Sequence, residues 1–87
     1  MNFDVHVDVQ LRPGVADPQG STIERSLPTL GFEGIAGVRV GKSIKFQLEA
    51  GDEAEARRIV GDVCNRFLTN PVIEDAHVEV RAAAEVS

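Results

Sequence analysis

The side chains best suited to chemistry alternate along the first segment of the chain. Asp4, His6 and Asp8 are spaced two residues apart within Phe3–Leu11, and His77 can join them from a later segment. Histidine and carboxylate groups bind divalent cations. However, residues two apart on a strand lie roughly 6–7 Å from each other on an open surface. We therefore expect a solvated or subunit-contacting face here, and no metal site.

Two other candidates for chemistry have simpler structural interpretations. Cys64 is the single cysteine, so it cannot form a disulfide within the chain, and its place beside an apolar helical stripe favours a small buried hydrophobe. Gly41-Lys42-Ser43 resembles the end of a phosphate-binding loop. The first glycine of that motif would fall at Ala36, and the segment joins two predicted strands instead of a strand and a helix. We therefore predict no catalytic residue.

Asp17-Pro18-Gln19-Gly20 is typical of a helix start. Asp17 can accept hydrogen bonds from the first N–H groups of a helix, and Pro18 suits the first helical position. Free N–H groups at a helix start can also hold an anion. Plain helix capping is the simpler interpretation, and anion binding is the alternative.

The composition excludes several classes of partner. The chain has 87 residues, a net charge of −5 and no Trp or Tyr. It has no cluster of Lys and Arg that could displace counterions from a polyanion, so we expect no nucleic acid and no anionic membrane as partner. No apolar run is long enough for a transmembrane helix or a signal peptide. A single thiol suits a reducing compartment, and we expect a cytoplasmic location. One thin core at this length favours oligomerisation.

The first half of the chain predicts a strand and then a helix that a proline disturbs. Apolar and polar residues alternate over Phe3–Leu11, which predicts a half-buried strand. Ile23, Leu27 and Leu30 follow at helical spacing, and Gly31 can end the helix. Pro28 removes a hydrogen bond, so we expect either a kink near Glu24 or an early end at Leu27.

The second half predicts a hairpin, a helix and a last strand. Ile35–Val40 and Ile44–Glu49 alternate around a tight turn at Gly41-Lys42. Asp52 and Glu55 form a capping-box-like helix start. Asn70 can take a left-handed position, and Pro71 ends the helix. The predicted apolar stripe of this helix comprises Ala56, Ile59, Val60, Val63, Phe67 and Leu68. The last strand runs from about Ile73 to Arg81.

The order β-α-β-β-α-β predicts an α+β, ferredoxin-like fold. Two helices then lie on one face of a four-stranded antiparallel sheet. We expect a single domain over residues 1–81 and a C-terminal tail over residues 82–87. The opposite face of the sheet is predicted to be polar, and it carries Asp4, His6, Asp8, Gln10, Arg39, Lys45, Gln47, Glu49, His77, Glu79 and Arg81.

Several motifs together resemble one family. Leu11-Arg12-Pro13-Gly14-Val15, Asp17-Pro18-Gln19-Gly20, Val38-Arg39-Val40-Gly41-Lys42 and Asn70-Pro71-Val72-Ile73-Glu74 occur in the order and at the separations found in PurS. PurS is the small subunit of phosphoribosylformylglycinamidine (FGAM) synthase. Leu30-Gly31-Phe32, Cys64 and Leu68 also fit. Pro28 departs from the alanine or polar residue expected there.

The resemblance implies a structural subunit of a ligase complex in de novo purine biosynthesis. The complex uses ATP and glutamine. A glutaminase subunit (PurQ) releases ammonia, and a synthetase subunit (PurL), which uses ATP and Mg, consumes it. The PurS-like chain would hold no cofactor. It would form a dimer or a dimer of dimers, bridge the two partners and support ammonia transfer.

The matched motifs also imply a set of subunit-interface residues. These candidates are Asp17, Pro18, Gln19, Gly20, Arg39, Gly41, Lys42, Asn70 and Pro71. Helix capping, a turn or a helix stop explains Asp17, Gly41, Asn70 and Pro71 about as well. No such role explains Gln19, Arg39 or Lys42, and these are the better functional candidates.

A regulatory module is the alternative. Arg12-Pro13-Gly14-Val15-Ala16 also resembles the start of an ACT domain, which binds an amino acid at a dimer interface. That resemblance leaves Asn70-Pro71-Val72-Ile73-Glu74 unexplained. It also requires an enzyme domain to regulate, and a free-standing chain of this length contains none.

Overall fold

The computed structural model describes residues 1–83. Within them, three strands, two α-helices and two shorter helical turns follow the order β1 (Asn2–Leu11), α1 (Pro18–Ser26), a 3₁₀ turn (Pro28–Leu30), β2 (Lys42–Glu49), α2 (Glu53–Val63), a π turn (Cys64–Leu68) and β3 (Glu74–Ala82). The predicted α+β class is confirmed. Residues 84–87 of the predicted tail lie outside the described residues. No helix in residues 1–83 has the length and apolarity needed to cross a membrane.

β1 is the central strand of a three-stranded antiparallel sheet with the order β2-β1-β3. Its register places Val5 beside Phe46 on one side and beside Val80 on the other. Side chains alternate between the two faces of a strand. The buried face of β1 therefore consists of its apolar residues Phe3, Val5, Val7 and Val9. The alternation in the sequence sets the inner face of the sheet, as predicted.

α2 covers this inner face and begins at the predicted capping box. Asp52 Oδ1 accepts a hydrogen bond from Glu55 N at 2.8 Å, and Glu55 Oε1 accepts one from Gly51 N at 3.2 Å. These bonds satisfy N–H groups that a helix start leaves free. Ala56 and Val60 of α2 are fully buried in the core. The cap and the apolar stripe thus fix where α2 starts and which side it buries.

The end of α2 departs from the prediction because the helix widens there. Thr69 N donates to Cys64 O, five residues back, at 2.9 Å, which closes a π turn. The extra residue keeps Cys64 and Leu68 at the core but turns Phe67 outward, so that Phe67 is 84% exposed. The prediction that Phe67 is buried is therefore wrong. Asn70 has no positive φ, so its predicted left-handed position is also wrong.

The predicted fourth strand and its hairpin are not found. Residues 35–41 form no strand, and Lys42 begins β2 instead of turning the chain. Val40 and Ile44 are four residues apart, so their side chains lie on the same side of an extended chain even without a turn between them. Gly41 does not have the positive φ that a two-residue hairpin turn requires at this position. The chain therefore runs on from Val40 into β2 without reversing.

α1 ends early, which confirms the second of the two outcomes predicted from Pro28. It stops at Ser26 with Leu27 as its C-terminal cap, and a 3₁₀ turn follows. Gly31 then takes a φ of 93°, which ends the helical path. The prediction that α1 lies over the sheet beside α2 is wrong. It packs instead against the chain at Val38–Val40.

The molecule thus has two regions. The body comprises the sheet and α2, and the arm comprises residues 18–40. The Cα radius of gyration is 17.0 Å and the extents are 51 × 35 × 15 Å. A compact chain of this length has a radius of gyration of about 12 Å. The arm therefore extends the molecule well beyond a compact shape.

Candidate subunit interface

The motif segments, far apart in sequence, meet at one end of the sheet. β1 ends there, and β2 and β3 begin there. Arg12 N donates to Ile73 O at 2.8 Å, and Arg39 Nη2 donates to Leu11 O at 3.3 Å. Lys42 Nζ lies 3.8 Å from Glu74 Oε2. We call this region, formed by residues 11–20, 38–42 and 70–75, the motif end.

Asp17 does more than cap α1. Its Oδ1 accepts from Gly20 N at 2.9 Å, as predicted, and its Oδ2 accepts from Val40 N at 2.9 Å. Hydrogen bonds from these two N–H groups, aided by the positive charge of Arg39, lower the pKa of Asp17. The side chain is only 8% exposed. Asp17 therefore joins the start of α1 to the segment that leads into β2, a link that helix capping alone does not predict.

Glu24 and Gly20 strengthen the same link. Glu24 Oε1 accepts from Val38 N at 2.9 Å. A Cβ atom at Gly20 would lie 2.4 Å from Val38 O, so no side chain fits between α1 and this segment. Pro18 occupies the first turn of α1, as predicted. The arm is consequently a preformed unit in which α1 and Val38–Val40 hold each other.

Gln19 has no such internal role. It is exposed and makes no side-chain hydrogen bond within residues 1–83. It lines an open hollow of about 350 Å³ with Asp17, Lys42 and Glu74. It also lines a neighbouring hollow of about 450 Å³ beside Ile23. An exposed amide between two hollows is available to a partner.

Arg39 and Lys42 flank Gly41 in the sequence. Arg39 also reaches Arg12 O at 3.4 Å, and it was wrongly predicted to lie on the polar face of the sheet. A Cβ atom at Gly41 would lie 2.7 Å from Val9 O, which explains the glycine. Both cationic side chains remain about half exposed, so they can contact a partner as well as the neighbours described here.

The Asn70–Glu74 segment forms a closed turn at the start of β3. Asn70 Oδ1 accepts from Val72 N at 3.1 Å, and Glu74 Oε1 accepts from Asn70 N at 2.7 Å. Arg12 Nη2 donates to Pro71 O, and Arg12 Nε lies 3.1 Å from Asp75 Oδ1. This turn explains Asn70 and Pro71 structurally.

Sequence reasoning missed Arg12, Glu74 and Asp75 as members of the motif end. Arg12 and Glu74 belong to two of the family motifs given above, and this membership was the one feature of the sequence that could have identified them. Their cross-strand partners depend on the register of β1 and β3, which pairs Leu11 with Glu74.

The polar face of the sheet carries a shallow open hollow of about 410 Å³, lined by residues that include His6, Lys45 and Glu79. His6 Nε2 lies 2.6 Å from Ser43 Oγ and 3.2 Å from Asp8 Oδ1. Both contacts use the same nitrogen, whereas a Ser-His-Asp relay needs the two ring nitrogens separately. Within residues 1–83 no three His, Cys, Asp or Glu side chains are grouped to hold a metal ion.

Cys64 lies inside the core, as predicted. It is 4% exposed, and burial raises the pKa of its thiol. A raised pKa leaves less of the nucleophilic thiolate at neutral pH. Cys64 is therefore a packing residue.

Comparison with known proteins gives one consistent result. The family model for PurS, described as phosphoribosylformylglycinamidine (FGAM) synthase, matches residues 4–82. The PurS subunit of this synthase in Synechocystis is 40% identical over 93% of this chain and 81% of its own length. The PurS subunit of Thermotoga maritima is 41% identical over 87% of this chain and 93% of its own length.

Solved structures agree with the sequence comparisons. The crystal structure of the T. maritima PurS subunit fits with a TM-score of 0.82 at 39% identity, covering 93% of each chain. A chain in the structure of PurLQS from T. maritima fits with a TM-score of 0.85 at 38% identity, covering 93% of this chain and 99% of that chain. These findings do not support the ACT-domain alternative.

Proposed function

The chain belongs to the PurS family of FGAM synthase subunits, and from that premise we propose that it is the non-catalytic structural subunit of such a synthase. It bridges a glutaminase subunit and an ATP-dependent synthetase subunit and supports the transfer of ammonia between them. It acts in de novo purine biosynthesis in the cytoplasm, as a homo-oligomer. ATP and Mg belong to the synthetase subunit, and this chain holds no cofactor.

The convergence of the motif segments supports this proposal most directly. Four segments that identify the family in sequence form one surface at the motif end. A relative at 38% identity is part of a structure named PurLQS, which places a PurS chain with PurL and PurQ in T. maritima. A family signature concentrated at one exposed surface is expected when that surface meets a partner.

Within the motif end, we propose that Gln19, Arg39 and Lys42 make the contacts to partner subunits. Asp17, Gly20, Gly41, Asn70 and Pro71 hold their backbone in place, since each has a defined internal contact. Pro18 presents Gln19 at the start of α1. The exposed groups therefore bind, and the buried or turn-forming groups position them.

The central experiment measures glutamine-dependent FGAM formation by purified glutaminase and synthetase, with and without this chain. We expect turnover from glutamine to require the chain, while turnover from added ammonium salts needs only the synthetase. Full glutamine-dependent activity without the chain would contradict the proposal. So would turnover by this chain alone.

Two variants test the surface. Lys42→Ala and Gln19→Ala should each weaken assembly with the partners by roughly tenfold, or about 1.4 kcal/mol. Lys45→Ala is the matched control, because Lys45 is also an exposed lysine of β2 but lies on the polar face of the sheet. Sedimentation of the mixed subunits reports the affinity. Unchanged assembly in both motif-end variants, or an equal loss in Lys45→Ala, would refute this assignment.

A further inference from the structure

Exposed large apolar side chains are concentrated in two stretches of residues 1–83, apart from Met1. One stretch is the arm. The other is residues 67–73, where Phe67 is 84%, Val72 78% and Ile73 36% exposed. Scattered exposed hydrophobic residues are common, but a concentration of them indicates a binding surface. We call Phe67, Val72 and Ile73 the turn patch.

The π turn exposes Phe67 against the helical pattern. Phe67 follows Val60 by seven residues, which is about two turns of a regular α-helix, so a regular helix would point both side chains to the core. Instead, Thr69 N and Thr69 Oγ1 both donate to Cys64 O at 2.9 Å and fix the wider turn. The fold thereby exposes a large apolar side chain whose burial would stabilise it. π turns are frequent at functional sites.

Val72 is exposed on a turn that is held in place from several sides. Asn70 Oδ1 accepts from Val72 N at 3.1 Å, and Asn70 O accepts from Ile73 N and Glu74 N at 3.1 and 2.8 Å. Arg12 N donates to Ile73 O at 2.8 Å, which ties the turn to the end of β1. A surface that is ordered before binding loses little conformational entropy when it binds. The motif around Asn70 thus builds the support on which Val72 is presented.

The composition of the surrounding segment is typical of the core of a protein interface. Residues 63–73 contain one Phe and one Arg but no Asp, Glu or Lys, although the whole chain carries −5. Aromatic residues and Arg are enriched in interfaces, whereas Lys, Glu and Asp are depleted. Arg66 is exposed, and it forms no ion pair within residues 1–83. An arginine that is available beside an exposed phenylalanine favours a partner surface with an apolar cleft and a carboxylate at its rim.

Charge and position favour a different subunit as the occupant over a second copy of this chain. A two-fold contact brings the same patch of both copies together. Two arginines would then meet, and residues 63–73 offer no carboxylate to pair with them. The turn patch is also continuous with the motif end, because residues 70–75 belong to both the turn and that surface. The proposed partner contacts of the motif end lie on the same surface.

We propose that the turn patch and Arg66 bind one of the other subunits of the synthase, at an apolar cleft rimmed by carboxylates on that subunit. This inference rests on the bridging role in the proposed function and adds a contact to it. Phe67 and Val72 fill the cleft, and Arg66 pairs with its rim. The π turn and Asn70 hold these side chains in position.

The first test truncates Phe67 and measures binding to purified glutaminase and synthetase, each alone and both together, by isothermal titration calorimetry. Phe67→Ala should raise the Kd for one of the subunits by roughly 30-fold or more, because it removes an aromatic anchor from the centre of the contact. Phe67→Leu is the matched control. It keeps most of the apolar area and should bind nearly as well as wild type.

The outcomes of this test separate the present inference from the proposed function. If wild type binds and Phe67→Ala binds equally well, the turn patch is not a docking surface, and the bridging role stands. If wild type binds neither subunit under any of these conditions, both the inference and the proposed function are overturned.

The second test reverses one charge. Arg66→Glu should weaken the same binding by roughly tenfold or more at low salt, and the difference from wild type should shrink as salt rises, because salt screens exposed charges. Arg58→Glu is the matched control, since Arg58 is an exposed arginine of α2 outside the turn patch. Equal losses in the two variants would mean that only the net charge of the chain matters, which overturns the pairing of Arg66 with the rim.

The third test uses the chain alone and concerns a second copy as the occupant. Analytical ultracentrifugation over a dilution series should show the same self-association for Phe67→Ala as for wild type. Weaker self-association of Phe67→Ala would assign the turn patch to contacts between copies and overturn the proposal.

Discussion

The body and the arm use similar apolar residues in opposite ways. In the body, Phe3 and Val7 are almost completely buried between the sheet and α2. In the arm, Phe32 and Leu30 are more than half exposed. Burial of apolar area drives folding, at about 25 cal/mol per Å². The body is thus built around its own core, whereas the arm leaves much of its apolar area exposed.

The two regions also differ in what holds them together. The body relies on side-chain packing and on two strand ladders. The arm relies on carboxylates that bond backbone N–H groups and on the close approach of Gly20 to Val38. Polar contacts of this kind fix geometry with little apolar burial, so the arm keeps its shape without a core of its own.

The largest expected loss of stability comes from removing a buried side chain from the core. Phe3→Ala should lower the free energy of unfolding by about 3–5 kcal/mol, because it removes a fully buried aromatic side chain and leaves a cavity. Phe67→Ala is the control, and its exposed side chain should cost no more than about 0.5 kcal/mol. Urea denaturation measures both. Equal losses in the two variants would mean that the body is not packed as described.

Two glycine substitutions should act with opposite signs. Gly20→Ala places a Cβ atom 2.4 Å from Val38 O, and the resulting overpacking should cost about 1–3 kcal/mol. Gly61→Ala in α2 meets no atom within 4 Å. It should stabilise the protein by about 0.5–1 kcal/mol, since alanine favours helix. Urea denaturation again reports the change, and a neutral Gly20→Ala would show that α1 does not need its contact with Val38.

The N-cap residues of α1 and α2, Asp17 and Asp52, should differ in how much each stabilises the protein. Asp52→Ala in the body removes one bond to a backbone N–H group and should cost about 1 kcal/mol. Asp17→Ala, at the residue just before the arm, removes two such bonds, to Gly20 and Val40, and should destabilise the protein more than Asp52→Ala. Amide exchange at Val40 should rise only in Asp17→Ala. A larger loss in Asp52→Ala would contradict the linking role of Asp17.

The body could be predicted from the sequence because its signals are local. Alternation along β1 and the capping box at Asp52 each act over a few residues, and the structure confirms both. Phe67 could not be placed, since the π turn inserts a residue that helical periodicity does not show. The fold of the body therefore follows from periodicity up to the point where the helix changes its pitch.

The start and the early end of α1 were predicted, but the position of the arm could not be, because the same local pattern permits a hairpin or a straight strand. Val38 and Val40 alternate in phase with Ile44 and Phe46. That phase is compatible with a straight chain, whereas Gly41 favoured the prediction of a turn. At the motif end, Asp17 was found as a cap, but its bond to Val40 joins residues 23 positions apart. Contacts of that range depend on tertiary structure.

Acidification gives the smallest expected effect, and a comparison of wild type with an Asp17 variant isolates the part that Asp17 contributes. Hydrogen bonds from Gly20 and Val40 lower the folded-state pKa of Asp17 below its unfolded value of about 3.9. The stability that Asp17 supplies is therefore present above that value and is lost as the pH falls through the lower folded pKa. Wild type should be more stable than Asp17→Asn at neutral pH, and the difference should shrink below about pH 4. Urea denaturation at several pH values checks this, with the Val40 amide signal followed in parallel. A difference that stays constant with pH would show that the Asp17 carboxylate does not hold the arm.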